Sequence, residues 1–268
     1  QKLKDLGFTT YRLPGYKVIY ASKMRKNYWL NRGGIIESRN LFETSRVFSW
    51  ENMDEGRQDG YNHLMNEMHH TFDQYTNGNI YERYGCIIEE GDIVVDAGAN
   101  VGVFSNYAYH RGASKIYAFE PADTAFECLV RNKPQGTKVF KAALGKKIGL
   151  EKFVIPSQDD TMCTSVHNKT GIENFAPVLS LDHLFETGLF EKIDFLKIDC
   201  EGAEKEIMEG LSDANLGKVR KIALEFHKQY LSEEFSEELI TRMSRNNFRV
   251  FQLFVGDGNL RIYNFWKI

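Results

Sequence analysis

The chain has 268 residues, of which 42% are hydrophobic and 26% charged, as in an ordinary globular protein. Its net charge of −3, with Lys and Arg interspersed among Asp and Glu, lacks the clustered positive charge that binds phosphates, so we expect no nucleic-acid partner. No apolar run approaches the roughly 20 residues of a membrane helix, and the 4 cysteines form no CxxC pair, so we expect no membrane span and a cytoplasmic location.

Residues 1–70 are predicted to form an N-terminal extension of short strands and one helix. The turn-forming pairs Pro14-Gly15 and Gly33-Gly34 separate segments rich in Tyr, Phe and Val, which favours strands. From residue 62 to 75, apolar residues recur at spacings of three and four, which predicts a helix. The second, larger domain is predicted to span residues 71–268.

From residue 91 onward, strand patterns alternate with helix patterns. The strands are predicted at 93–96, 115–119, 138–143, 193–198 and 219–226. A hairpin is predicted within the irregular segment 146–178, and the strands 249–255 and 261–266 flank an Asp-Gly turn, a strong antiparallel hairpin signal. Five βα units followed by this hairpin predict a Rossmann-like α/β fold with a mainly parallel, seven-stranded sheet.

The first strand of this region ends in a glycine-containing turn, V-V-D-A-G-A-N-V-G. Gly98 and Gly102 let the backbone turn sharply and approach a ligand. Glu120, followed by Pro121, lies about 20 residues further on, where a Rossmann unit carries the acid that accepts hydrogen bonds from ribose hydroxyls. Asp96 precedes the turn, and its charge suits a cofactor with a cationic amino-acid group, whereas it would repel a diphosphate.

A second group of polar residues lies at the tips of the fourth and fifth strands. Lys197, Asp199 and Glu201 alternate with apolar residues, and Glu225 and His227 end the next strand. Charges inside an apolar parallel strand are unfavourable unless they are paired or functional. A structural alternative is that Lys197 pairs with Glu120 or Glu225. Because both tips lie on the rim that carries the cofactor turn, we expect an active site there.

Four blocks in this order resemble the FkbM family of methyltransferases over roughly residues 75–230: V-V-D-A-G-A-N-V-G-V-F-S, A-F-E-P, L-S-L-D-H-L and D-F-L-K-I-D-C-E-G-A-E. The resemblance implies a class I methyltransferase fold, S-adenosylmethionine as methyl donor, and O-methylation, often of a sugar hydroxyl in a glycan or natural product. It implies cofactor contacts by Asp96, Gly98, Asn100 and Glu120. It implies an active site lined by Lys197, Asp199, Glu201 and Glu204.

Methyl transfer to an alcohol calls for a base that takes the hydroxyl proton. We consider Asp199 and His227, with Lys197 fixing the carboxylate. The ordinary imidazole pKa of ~6.5 favours His227, whereas Asp199 needs burial or a like charge such as Glu201 to become basic enough. Tyr81, upstream of the cofactor strand, is a candidate for the rim, either capping the cofactor or contacting a sugar, with plain aromatic packing as the alternative.

Three alternatives remain open at this point. A divalent metal could bind Asp199, Glu201 and Glu225, although we do not favour it. A nicotinamide-dependent sugar oxidoreductase or epimerase would need G-x-G-x-x-G, and its second and third glycines would fall at Asn100 and Val103. A catalytically inactive methyltransferase-like binding module is the third, and the intact turn and the acidic strand tips argue against it.

Overall fold

A computed structural model describes residues 9–12, 19–23, 26–31, 34–37, 80–155, 171–255 and 260–267. The chain divides into two compact units, residues 1–80 and 81–268. The helix predicted at 62–75 and the domain boundary predicted after residue 70 lie outside the described residues. Among the helices that are described, none combines the length and apolar character needed to cross a membrane.

The N-terminal unit contains a four-stranded antiparallel sheet. Its strands follow one another in chain order: β1 (Thr9–Arg12), β2 (Ile19–Lys23), β3 (Lys26–Asn31) and β4 (Gly34–Glu37). Asn31 pairs with Gly34, so only two residues connect β3 to β4, as expected for a glycine-containing turn. The short strands predicted for this region are confirmed.

The second unit is built on a seven-stranded sheet. Its strands are β5 (Ile93–Ala97), β6 (Lys115–Phe119), β7 (Thr137–Phe140), β11 (Ile193–Ile198), β12 (Val219–His227), β13 (Phe248–Val255) and β14 (Leu260–Lys267). The spatial order is β13-β14-β12-β11-β5-β6-β7; neighbouring strands from β12 to β7 are parallel, and β14 is antiparallel to both its neighbours. This arrangement confirms the predicted Rossmann-like class I fold with a C-terminal antiparallel hairpin.

The helices connect these strands. They are α1 (Val103–His110), α2 (Asp123–Asn132), α3 (Leu181–Glu186), α4 (Glu204–Glu209), α5 (Asp213–Leu216) and α6 (Glu233–Arg245). Every residue of β11 is buried, as expected for a parallel strand covered on both faces. The strand order reverses between β5 and β11, and in such sheets the ligand crevice lies outside the carboxyl ends of the strands at this point.

The segment after β7 differs from the prediction of one strand over 138–143. The chain leaves the large sheet, and β8 (Ala143–Leu144) pairs instead with β10 (Ile172–Leu179) in a separate three-stranded sheet with β9 (Gly149–Ile155). β9 and β10 are antiparallel, which confirms the hairpin predicted within 146–178.

α4 ends at Glu209, and the short helix α5 follows it at Asp213. Ser212 starts α5 by accepting a hydrogen bond from the backbone of Asn215. Gly210 lies against the backbone, and a Cβ there would be 2.3 Å from the Gly145 carbonyl oxygen. The chain therefore turns at Gly210 instead of continuing the helix.

An ion-pair network lies near the start of β5 and β12. Lys221 Nζ donates to Asp92 Oδ2 at 2.9 Å and to Glu89 Oε2 at 2.7 Å. Arg220, which precedes Lys221 on β12, forms ion pairs with Asp92 and with the almost fully buried Asp194. The network is at the end of the sheet opposite the strand tips described next, so we assign it a structural role.

Candidate active site

The turn after β5 is held between two neighbouring strands. The backbone amides of Gly98 and Ala99 donate to the Phe119 carbonyl oxygen at 3.1 and 3.0 Å. Gly98 has φ +73°, and a Cβ there would be 1.9 Å from the carbonyl oxygen of Asp199. The glycine predicted to allow close approach of a ligand thus also allows close approach of β11.

The other two turn residues predicted to contact a cofactor have left-handed backbones. Asn100 has φ 48° and Gly102 has φ +94°. A Cβ on Gly102 would be 3.0 Å from Leu129 on α2, so this glycine brings the start of α1 close to a neighbouring helix.

Glu120 lies directly after β6 and is buried. Its Oε2 accepts from the Asn100 amide at 2.9 Å, and its Oε1 accepts from the Ala122 amide at 2.8 Å. Burial raises the pKa of Glu120 to about 7, although the two backbone donors act in the opposite direction. Glu120 therefore lies against the turn and is followed by the half-buried Pro121, and contact of either residue with a cofactor stays a prediction.

Asp96 lies beneath the turn and is fully buried. Ser105 donates to its Oδ2 at 2.7 Å, and Lys197 Nζ is 3.6 Å from its Oδ1. No described residue donates a hydrogen bond to Oδ1. Direct contact between Asp96 and a cationic cofactor group stays a prediction.

Lys197 connects the turn to the tip of β11. Its side chain is 2% exposed, and its Nζ donates to the Gly98 carbonyl oxygen at 2.8 Å and lies 3.2 Å from Asp199 Oδ2. The structural alternative paired Lys197 with Glu120 or Glu225, whereas the described ion pairs of Lys197 are with Asp96 and Asp199. The parallel register places Lys197 opposite Asp96 on β5, so Asp96 and Asp199 are its partners.

Asp199 is the carboxylate at the mouth of this cluster, and its side chain is 11% exposed. Tyr81 donates to Oδ2 at 2.9 Å, and Lys197 lies beside the same oxygen, whereas no described residue donates to Oδ1. Burial alone would raise the pKa of Asp199, but the charges of Lys197 and His227 and the Tyr81 hydrogen bond lower it overall. At neutral pH Asp199 is an anion, and it is less basic than the sequence argument required.

His227 ends β12 among three carboxylates. Its Nε2 is 3.5 Å from Glu201 and from Glu225, and its Nδ1 is 3.5 Å from Glu204. Burial alone would lower the pKa of His227, but Glu204 and the charges of Glu225, Glu201 and Asp199 raise it to about 10. The imidazole is therefore protonated at neutral pH, so the argument for His227 as base from its ordinary pKa does not hold.

Glu201 lies in the loop between β11 and α4, and Glu204 is the first residue of α4. The fully buried Glu204 accepts from the amides of Cys200 at 3.0 Å and Gly202 at 2.9 Å. Glu201 has φ 51° and is partly exposed. Glu204 thus holds the backbone of the loop that carries Glu201. Its side chain also lies beside His227, so its effect on the active site is through these neighbours.

Tyr81 is buried at the centre of the site, where the sequence predicted only a place on the rim. Its hydroxyl lies 2.9 Å from Asp199 Oδ2 and 2.6 Å from Glu225 Oε2. Its ring meets Phe104 edge-to-face at 5.5 Å, and Lys197 Nζ lies 5.6 Å from the ring centroid.

The sequence analysis missed Ser105, which donates a hydrogen bond to Asp96. Its position in the first turn of the helix that follows the glycines was the signal available in the sequence.

The residues that could bind a divalent metal in the structure differ from the predicted set of Asp199, Glu201 and Glu225. Among the described residues, one ligand atom each from Asp199, Glu201 and His227 lies within 4.8 Å of the others, so His227 replaces the predicted Glu225. A metal needs the neutral imidazole, which the raised pKa of His227 disfavours. We assign no metal to these residues.

Comparison with known proteins identifies similar sequences. The family described as "Methyltransferase FkbM domain" matches residues 96–250. The 31-O-demethyl-FK506 methyltransferase FkbM of Streptomyces tacrolimicus is 26% identical over 183 residues, which cover 55% of this chain and 70% of that protein. The hexuronic acid methyltransferase AglP of Haloferax volcanii is 26% identical over 171 residues, covering 59% of this chain and 69% of that protein.

Solved structures resemble the chain more distantly. A putative rRNA-methylase from Clostridium thermocellum is 11% identical, with a TM-score of 0.41 over 68% of this chain and 89% of that chain.

Proposed function

Because the chain belongs to the FkbM family of methyltransferases, we propose that it transfers a methyl group from S-adenosylmethionine to a hydroxyl group of a sugar in a glycan or natural product. The observation that carries the proposal is Asp199, a carboxylate whose Oδ2 is held by Tyr81 and Lys197 while Oδ1 accepts from no described residue. It lies directly against the glycine turn through its own carbonyl oxygen.

The charges around the turn suit this donor. Carboxyl groups outnumber the cations Lys197 and His227 in this part of the described structure. They belong to Asp96, Glu120, Asp199, Glu201, Glu204 and Glu225. An excess of negative charge attracts a donor that carries sulfonium and ammonium groups, and it repels the diphosphate of a nicotinamide cofactor. When bound, S-adenosylmethionine supplies the methyl group on its sulfonium.

The proposed contacts follow the sequence prediction. Both oxygens of Glu120 already accept one backbone hydrogen bond, and each has a further lone pair for a ribose hydroxyl. The turn from Gly98 to Gly102, including Asn100, would contact the amino-acid end of the donor. Asp96 carries a buried oxygen that lacks a hydrogen-bond donor among the described residues, and we propose that it acts on this end of the donor.

Asp199 is the proposed base. The hydroxyl proton becomes far more acidic while the oxygen is being methylated, so a carboxylate of low pKa is basic enough to remove it during the transfer. Lys197 and Tyr81 hold the carboxylate in one orientation, and such positioning contributes much of the rate of a methyl transfer. His227, as a cation, would hold Glu201 and Glu225 in place instead of accepting a proton.

The sugar hydroxyl is supported by the relatives' names. The name of the first relative gives 31-O-demethyl-FK506 as the compound methylated, and the name of the second gives a hexuronic acid. We propose that residues 146–178 and the N-terminal unit select the acceptor, since loops and appended segments commonly determine specificity on a shared fold.

Calorimetry and a methyl-release assay test the proposal. We expect S-adenosylmethionine to bind and NAD not to bind, and S-adenosylhomocysteine to form when a panel of hexoses and hexuronic acids is added. Binding of NAD alone would support an oxidoreductase or epimerase. Tight binding of the donor without product for any acceptor hydroxyl would support an inactive binding module.

A further inference from the structure

The hydroxyl of Tyr81 lies between two carboxyl groups. Its oxygen is 2.6 Å from Glu225 Oε2 and 2.9 Å from Asp199 Oδ2, both within hydrogen-bond distance. A phenol has a single hydrogen, whereas an ionised carboxylate only accepts. Two hydrogen bonds through this oxygen therefore need a second proton, which must reside on one of the two carboxyl groups.

The surroundings of the two acids decide which one carries it. Asp199 has Lys197 at 3.2 Å, and its side chain is partly open to solvent at 11%. The Glu225 side chain is 6% exposed and faces the charges of Asp199 and Glu201, with His227 at 3.5 Å on its own strand as its nearby cation. On the other side of β12, Glu225 lies opposite the apolar Ile262 of β14.

The pKa shifts point the same way as the geometry. Burial raises the pKa of Glu225 well above its usual value, and the Asp199 and Glu201 charges add to this, while His227 and Tyr81 act in the opposite direction. The pKa of Asp199 is lowered overall, because Lys197 and His227 outweigh its burial. The proton therefore belongs on Glu225.

We propose that Glu225 is a resident carboxylic acid that donates its hydrogen to the Tyr81 oxygen, so that Tyr81 donates its own hydrogen to Asp199. Tyr81 and Glu225 are positioning residues, which hold the carboxylate that we propose as base; their role in the reaction rests on that proposed function. The chain of hydrogen bonds occupies Asp199 Oδ2 and leaves Oδ1 for the acceptor hydroxyl. It also removes one negative charge from a crowded group of acids.

The first test compares two substitutions of Glu225. A glutamine amide can donate to Tyr81 as a carboxylic acid does, so we expect Glu225→Gln to keep kcat within about twofold at pH 7, while Glu225→Ala loses about tenfold or more. Tyr81→Phe removes the only donor to Asp199 in this chain of hydrogen bonds, so it should lower kcat about tenfold or more with the KM of the donor unchanged. Tyr84→Phe is the control, because Tyr84 is 71% exposed and stacks on Trp266.

The second test needs no activity. In the native protein the pKa of a buried, protonated acid is higher than in the unfolded chain. Between these two pKa values the native state binds one more proton than the unfolded state, so the native protein loses stability as pH rises above the ordinary glutamate pKa. The difference in Tm between Glu225→Gln and the unsubstituted protein should therefore grow in favour of the variant from pH 5 to pH 8. The exposed Glu237→Gln on α6 should show no such trend. Carbon-13 NMR of the glutamate carboxyl groups, with the Glu225 signal assigned from its loss in Glu225→Gln, should show that this acid is still protonated at pH 7.

An ionised Glu225 signal at pH 7, or a Tm difference that does not depend on pH, overturns the proposal. So does a folded Glu225→Gln variant that loses more than tenfold in kcat while Glu237→Gln loses nothing. Failure of the proposed function has a different signature: no acceptor would then yield S-adenosylhomocysteine, or Asp199→Asn would keep its turnover if only the choice of base is wrong, whereas the protonation state of Glu225 would be unchanged in both cases.

Discussion

The carbonyl oxygen of Asp199 lies 1.9 Å from the position that a Cβ on Gly98 would occupy. The glycine turn and the backbone of the proposed base therefore pack closely together. A hydrogen bond from the Asp199 amide to the Ala97 carbonyl oxygen at 3.2 Å reinforces this contact.

Gly98→Ala should destabilise the protein because its methyl group overlaps backbone that cannot rotate away. We expect a loss of about 1–3 kcal/mol from the overlap, in addition to ~1 kcal/mol for the left-handed backbone. Gly136→Ala is the matched control, since Gly136 has φ +85° and a Cβ there meets nothing within 4 Å. Urea unfolding of both variants measures the difference, and equal losses would refute the close contact.

Asp199→Asn should remove the proposed base while keeping the side chain's shape. We expect kcat to fall by about 10²–10⁴-fold, the usual contribution of a general base, with the affinity for S-adenosylmethionine changed only a few-fold. Steady-state kinetics with calorimetry on the same preparation checks both numbers. A variant with near-native turnover would exclude Asp199 as the base.

Glu120→Gln should weaken donor binding about tenfold to a hundredfold, because hydrogen bonds from ribose hydroxyls to a charged acceptor are lost. The raised pKa of about 7 adds a pH dependence. The carboxylate forms as pH rises through 7, so donor affinity should increase between pH 6 and 8 and should be flat in the variant. The exposed Glu127→Gln on α2 should retain the full pH dependence in calorimetry.

Lys221→Met should destabilise the fold without a change at the strand tips. Asp92 is buried, and removing its Lys221 partner leaves a carboxylate only partly compensated by Arg220. Breaking a buried pair costs about 3–5 kcal/mol. Denaturant unfolding measures the loss, with the exposed Lys115→Met as control, and a loss below 1 kcal/mol would contradict the role assigned to the network.

Chelation of divalent ions should leave turnover unchanged. The protonated His227 forms ion pairs with Glu201 and Glu204, so His227 and Glu201, two of the groups that a metal would use, are already occupied. The measurement is kcat before and after dialysis against EDTA, with added Mg²⁺ as the control. A fall in kcat that added Mg²⁺ reverses would instead support a metal bound at this site.

Much of the fold was predictable because its signals are local. The alternation of strand and helix patterns from residue 91 onward predicted a mainly parallel sheet, and the Asp-Gly turn predicted the C-terminal hairpin. The strand over 138–143 could not be predicted correctly, because Ala143 leaves the large sheet to pair with Val178, a partner far along the chain. Such long-range pairing has no signature in a short stretch of sequence.

The sequence by itself determined the family, the order of strands and helices, and the identity of the polar residues at the strand tips, since each depends on residue type and spacing along the chain. Only the tertiary structure decided that Lys197 faces Asp96 and Asp199, that Tyr81 joins Asp199 to Glu225, and that His227 is a cation. The reason is physical: the pKa of a buried group depends on which charges lie within a few ångströms of it. Those distances depend on the strand register of the assembled sheet.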